Sequence, residues 1–267
     1  MTGPSLQEQI EAAEAYETLL VPGLTGEWAC RVADAAAIQP GDRVLDVACG
    51  TGALTRAVMS RTGSGSGIAG VDAGAGMLEV ARRLAPDPDF RQATAEALPF
   101  PDGSFDALVS QFGLMFFGDR SRALREALRV LVPGGRLAVA VWDRLESMPA
   151  YGEEVALVER IAGAHAAYPL RAPFALGDRE ALVRLFEASG AARVNATTSG
   201  GTARFASLRI MIEADLRGWL PVMGVVLAEA QIAQILREAE DALARYVGAD
   251  GTLAFDTSVH IVTGTRP

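Results

Sequence analysis

Apolar and polar positions along this chain follow two periods that take turns. Leu6, Ile10, Ala13 and Leu20, with Glu17 among them, recur at helical spacing, and Pro22-Gly23 is read as the break in that run. A second helix is predicted over residues 27–37, stopping at Pro40-Gly41. "RVLDVA" then reads as a strand, residues 52–61 as a helix, and "GIAGVD" as a second strand ending on Asp72. Residues 75–84 read as a helix halted by Pro86 and Pro88, and a short strand is expected over 90–94. "SFDALVSQF" is a fourth strand, opened by the turn "PFPDGS". Asp119 is a candidate N-cap for a helix to Leu131, whose Leu124, Leu128 and Leu131 share a face. "VPGG" ends that helix and "RLAVAVW" is a fifth strand.

Such alternation predicts an α/β fold, a parallel sheet with helices on both faces. Ligands in these sheets bind beyond the carboxyl ends of the strands, near the topological switch point. Asp46, Asp72, Thr94, Gln111 and Trp142 all fall at such ends. After Trp142 the pattern loosens. Residues 153–166 and 178–189 read as helices and "ARVNATT" as a strand. Leu208, Met211, Ile212, Leu216 and Trp219 outline an amphipathic helix, and Ile232, Ile235, Leu236, Ala239, Leu243 and Val247 another. "GTLAFDTSVHIVTGT" is a last, partly alternating strand, the seventh. The expected organisation is one domain over 1–267, its core about 38–144 with 190–200 and 252–264, and a helical lid from 1–37, 145–189 and 203–250. "GSGSG" at 63–67 reads as a surface loop.

Composition narrows the partners. Half of the 267 residues are hydrophobic, enough for a large core. The 24 basic residues against 33 acidic ones leave a net charge of −9, which argues against nucleic acid or an anionic membrane as a partner. A homo-oligomer is an assembly the sequence allows. Cys30 and Cys49 form no disulfide framework, and Cys49 reads as a small filler rather than a nucleophile. The first twenty residues carry no signal pattern, and no apolar run is long enough to span a bilayer, so a cytoplasmic protein is expected. The two histidines, His165 and His260, stand at no metal-ligand spacing with any Cys, Asp or Glu, and no metal is expected.

The chemistry centres on "RVLDVACGTGALTRAV", residues 43–58. A strand, a glycine turn and a helix make a ligand-binding corner. A dinucleotide needs three glycines, and here Gly50 and Gly52 fill two roles while Thr55 takes the third place. Asp72, twenty residues after Gly52, is suited to receive two ribose hydroxyls. Asp46 points at the turn and favours a cationic tail over a phosphate. The residues thus ask for a nucleoside without pyrophosphate.

S-adenosylmethionine has those features, and the sequence resembles the class I S-adenosylmethionine-dependent methyltransferases. It resembles the branch typified by the ubiquinone/menaquinone-biosynthesis C-methyltransferases and many natural-product methyltransferases. "DVACGTG" matches the family's acid-x-G-x-G-x-G loop, with Ala48 and Cys49 varying its first half. "GVDAGAGML", "ATAEALPFPDGSFDALVSQF" and "RVLVPGG" follow in the family's order, between Val44 and Val141. The resemblance implies a Rossmann-like methyltransferase fold with a mostly parallel seven-stranded sheet. It implies that the cofactor is held by Asp46, Ala48, Gly50, Gly52, Asp72 and Met77, the last against the adenine, and by Thr94, Ala95, Glu96 and Gln111. Thr94 stands where the family commonly has an acid for the adenine amino group.

"QFGLMFFGD" follows the fourth strand, where the family's acceptor meets the methyl group. Tyr16, Phe112, Met115, Phe116 and Trp142 are the expected acceptor pocket, for a small, largely apolar molecule. Methyl transfer is an in-line displacement that alignment and desolvation can accelerate, with a base needed only for an acceptor that must lose a proton. Tyr16 and His165 are the candidate catalytic groups, and Glu213 and Asp215 further candidate bases. Oxygen, carbon and nitrogen acceptors all stay open. Two other readings stand beside this one: a non-methylating S-adenosylmethionine-binding protein or enzyme on the same fold, and an NAD-dependent oxidoreductase.

Overall fold

A computed structural model describes residues 4–267. Among them seven strands form one sheet: β1 (Val44–Val47), β2 (Ile68–Asp72), β3 (Asp89–Gln92), β4 (Phe105–Gln111), β5 (Leu131–Trp142), β6 (Ala192–Phe205) and β7 (Leu253–Thr265). Their order is β3-β2-β1-β4-β5-β7-β6. All neighbours from β3 to β5 are parallel, and β7 runs antiparallel to both β5 and β6. β1 and most of β2 are buried, as continuous apolar strands covered on both faces should be. β6, at the edge, alternates between half-buried and exposed over most of its length.

The helices are α1 (Leu6–Ala15), α2 (Gly26–Ala35), α3 (Ala53–Thr62), α4 (Ala75–Leu84), α5 (Arg120–Val130), α6 (Pro149–Ala162), α7 (Ala164–Arg171), α8 (Arg179–Ala188), α9 (Leu208–Glu213), α10 (Leu220–Val222) and α11 (Glu229–Ala242). Side-chain caps start several of them. Ser5 closes a capping box with Glu8, and the Asp119 carboxylate accepts the Arg122 N–H at 2.9 Å. The strand order reverses between β1 and β4, and the loops leaving these strands part there. Gly113, just after β4, has no Cβ because one would overlap the Cβ of Ala48, just after β1.

The structure departs from several of the sequence expectations. Pro22-Gly23 does not end the first helix; residues 16–25 wind on as a π-helix that joins α1 to α2. The wider turn tolerates the missing N–H of Pro22, and Gly23 is required by packing, since a Cβ there would lie 2.7 Å from the Phe205 ring. α2 packs on β4, β5 and α3, and so covers the sheet instead of joining the lid. The expected helix over 153–166 is two helices, parted at Gly163 with φ +89°. β6 runs to Phe205, into the span expected for the lid, and α8 packs on α5, β6 and β7 as a sheet-covering helix. Residues of the π-helix, α6 and α7, and Asp215, Trp219, Val222 and Met223, line the cavities found at the carboxyl ends of the strands.

Candidate active site

A cavity of about 460 Å³ opens at the carboxyl ends of β1, β2 and β4. Its floor is the glycine turn. Ala48 (φ +58°), Gly50 (φ +54°) and Gly52 (φ +84°) all take left-handed backbone there. A Cβ on Gly50 would meet nothing within 4 Å, so this part of the turn faces open space. Asp72 fastens the end of β2 to the turn: one carboxylate oxygen accepts the Gly50 N–H and the other the Gly74 N–H, each at 2.8 Å. Burial pushes the Asp72 carboxyl above its ordinary range, against the pull of those N–H groups.

Asp46 lies beneath the turn, 1% exposed. Burial pushes it up to about 7, although the Thr55 hydroxyl donates to its Oδ2 at 2.6 Å. Asp46 Oδ1 is left without a partner. The π-helix is tied down at two points. Glu17 accepts from the Thr51 hydroxyl in the glycine turn and from Arg56 on α3. Gln111, at the end of β4, donates Nε2–H to the Thr25 carbonyl at 2.9 Å, and its Oε1 has no partner.

A second, smaller chamber of about 90 Å³ adjoins the cavity, sharing Tyr16, Phe112, Phe116 and Trp219 with it. Phe112 sits in left-handed backbone (φ +56°), a strained position for an aromatic residue. The strain is held by its N–H to the Ala140 carbonyl at 2.9 Å and by a parallel stack on Trp142 with centroids 4.0 Å apart. Deeper in, Met148, Tyr151, Leu170 and Phe174 make an apolar wall broken by one acid, Asp215. Glu154 lies behind it, fully buried. Burial pushes Asp215 up to about 7 and Glu154 well above the usual carboxylate range.

Of the residues expected to hold a cofactor, Ala48, Gly50, Asp72, Met77, Thr94, Ala95, Glu96 and Gln111 line the larger cavity. Asp46 and Gly52 sit under it, the latter capping α3. Tyr16, Phe112 and Phe116 border both cavities and Trp142 the inner one. Met115 lines neither: the short 3₁₀ turn at 114–116 carries its side chain into the core, at 4% exposed. His165 lines neither cavity; it is exposed on the first turn of α7, away from the cleft it was expected to cover. Glu213 pairs with Arg209, whereas Asp215 reaches the chamber. Sequence reasoning missed Glu17, Thr25, Tyr151 and Glu154. The signal for the last two was Glu154 three residues after Tyr151, on one helical stripe with Val155 and Val158.

The strand order, the antiparallel β7 and a cleft at the switch point define the class I methyltransferase fold. Residues 45–139 match the family described as Methyltransferase domain, which bears out the resemblance read from the motifs over this segment. The chain is 42% identical to the demethylmenaquinone methyltransferase of Renibacterium salmoninarum over 134 residues, 50% of this chain and 54% of that protein. It is 42% identical to the ubiquinone/menaquinone biosynthesis C-methyltransferase of Hahella chejuensis over 132 residues, 47% of this chain and 53% of that one. The chain thus spans about half the length of these curated relatives. Among solved structures it is similar to Haemonchus contortus phosphoethanolamine N-methyltransferase 2 in complex with S-adenosyl-L-methionine. That match has a TM-score of 0.60 at 16% identity, covering 97% of this chain and 57% of that one. The dinucleotide reading is not favoured, because Thr55, buried and bonded to Asp46, fills the place of the third glycine.

Proposed function

We propose that this chain transfers a methyl group from S-adenosylmethionine to a small, largely apolar, quinol-like acceptor, in the cytoplasm. The observation that carries the reading is Asp72, anchored through both oxygens to backbone N–H groups at the wall of the larger cavity. Each of its oxygens keeps a second lone pair, which suits a pair of ribose hydroxyls. Gln111 Oε1, orphaned at the same wall, suits the ammonium of the cofactor's tail. Met77, Thr94 and Ala95 offer an apolar side chain and backbone for the adenine. S-adenosylmethionine supplies a methyl group already activated on a sulfonium. The protein's part is to align and to exclude water: Tyr16 of the π-helix stands with Phe112 and Phe116 where the two cavities meet. The quinol-like acceptor is supported by the names of the curated relatives and by the aromatic inner chamber.

Calorimetry with S-adenosylhomocysteine tests the reading. Wild-type protein should bind it and ignore NAD. Asp72→Ala should weaken binding by about tenfold or more, since a charged acceptor in a sheltered site contributes roughly 1.5–3 kcal/mol per hydrogen bond. Equal affinity in the folded variant would sink the assignment of Asp72.

A further inference from the structure

We infer that Asp215, backed by Glu154, takes the hydroxyl proton of the methyl acceptor in the inner chamber. This rests on the methyl-transfer reading above. Asp215 is 3% exposed on the π-helical turn at 214–219, and Glu154 is fully buried on α6. Asp215 Oδ2 and both Glu154 oxygens lack any N–H or hydroxyl donor meeting hydrogen-bond geometry, and neither acid has an ion-pair partner among the described residues. The groups acting on Asp215 are the Tyr151 hydroxyl and the Glu154 carboxyl itself.

Arginines of α6 and of the elements around it are engaged elsewhere: Arg160 with Glu238 of α11, Arg171 of α7 with Glu159, and Arg245 with Glu153. The chain contains no lysine. Arg209 and Arg217, nearest in sequence, are held by Glu213 and Glu229 at the surface. From the π-helix, Tyr16 acts on Tyr151, while Glu17 is engaged with Thr51 and Arg56. α1 packs on the same turn, but its Glu8, Glu11 and Glu14 are exposed and bonded to Ser5, Gln7 and Arg83. Two carboxyls in contact in a dry site cannot both ionise, so the pair carries one proton and one charge near neutral pH. Glu154, 0% exposed and lining neither cavity, holds the proton, while the charge falls on Asp215, which lines the chamber. That leaves Asp215 as the one anionic group on an otherwise apolar wall.

A buried acid serving only the fold would have an arginine or backbone N–H to satisfy it. Asp215 instead lines the chamber without such a partner, and its proton affinity is matched to neutral pH. In the step, the acceptor's O–H bond breaks and its proton passes to the Asp215 carboxylate. The electron pair left behind forms the new bond to the methyl carbon, from oxygen or through a conjugated ring carbon, and the carbon–sulfur pair stays on sulfur. In the ring-carbon case the ring proton leaves to water while the oxygen recovers its own from Asp215. Asp215 is thus a catalytic residue and Glu154 a positioning residue.

The test uses 2-naphthol as probe, bound to the full chain saturated with S-adenosylhomocysteine and followed by calorimetry from about pH 5.5 to about pH 8.5. Wild-type affinity should rise about tenfold with pH as the pair gives up its second proton. Asp215→Asn should bind about tenfold more weakly at the upper end and show no pH dependence. Glu154→Gln should keep the rise but move it to lower pH, because an amide donates to Asp215 without sharing a proton. Circular dichroism checks that both variants fold, and the Glu154→Gln shift is a change that a merely structural role would not produce. The same pH profile in Asp215→Asn as in wild type, or no binding of 2-naphthol to the wild type, overturns the inference. So does tighter, Asp215-dependent binding of 1-naphthylmethylammonium, which would make the chamber an amine site. If the wild type fails to bind S-adenosylhomocysteine, the methyl-transfer reading falls by itself, and the naphthol titrations are then read on the protein alone.

Discussion

A single hydroxyl, Thr55 Oγ1, satisfies one side of a carboxyl buried under the glycine turn. Thr55→Val keeps the shape and removes the hydroxyl donor, leaving Asp46 only the weaker pull of the residue 55 backbone N–H. The expected cost is about 1–3 kcal/mol of stability, read from urea unfolding. Asp46 also has a pH signature. Its folded pKa of about 7 lies above the value of about 4 in an unfolded chain, so the folded state holds a proton that the unfolded state has lost. Its contribution is complete below about pH 4 and is lost as pH rises through about 7. Asp215 titrates in the same direction. Unfolding free energy should therefore decline over that window, by at most about 1.4 kcal/mol per pH unit for each group, and Asp46→Asn should flatten part of the slope. A stability that climbs from pH 4 to 7 would contradict this. At this scale the sequence was legible where backbone geometry dictates the residue. Gly50, Gly52 and Asp72 follow from a strand, a turn and a helix in series. Glu154 was not legible, because one acid on an amphipathic helix looks the same whether it faces water or a buried partner. Met115 was not either, since one rotation of a short turn decides between pocket and core.

Among the elements, the close approach of the loops after β1 and β4 is the most exposed to test. Gly113 has φ −100°, a conformation open to any residue, so Gly113→Ala adds no backbone strain and only the overlap with Ala48. It should push the glycine turn away from β4 and weaken S-adenosylhomocysteine binding by about tenfold or more, with a lower melting temperature. Gly152→Ala is the control: it has open space around it in α6 and should stabilise by about 0.5–1 kcal/mol. Equal effects of the two substitutions would remove the steric explanation. The first five strands and the helices α3, α4 and α5 between them were readable, because buried parallel strands are continuous apolar runs bounded by glycine and proline. The π-helix was misread as a break because Pro22-Gly23 carries the signature of a helix end. Only the seat of Gly23 on Phe205, distant in sequence, shows why the chain winds on. The loosely patterned half after Trp142 was located but not delimited, since α8 and the far end of β6 are claimed for the core by long-range contacts.

Over the whole molecule, cations come only from arginine: the chain has 24 basic residues and no lysine. Many of these guanidinium groups clamp carboxylates and carbonyls across elements, as Arg129 does with Glu126, Asp102 and the Leu98 and Phe100 carbonyls. No helix among the described residues is long and apolar enough to cross a membrane. The position of β7 has a consequence for synthesis. It is the last strand in sequence, yet it is inserted between β5 and β6. A ribosome that has delivered the apolar stretch ending β5 must still make residues 143–252 before that strand's open edge finds its partner. Throughout that interval the nascent chain carries an unpaired hydrophobic edge, the feature that invites aggregation and chaperone capture. Stalled nascent chains that stop short of residue 253 should be cleaved readily by protease across β5 and β6. Chains extended past residue 265 on a linker that clears the exit tunnel should become resistant in one step. The sheet would then close like a drawer, its final slat sliding into the middle of the stack rather than onto its side.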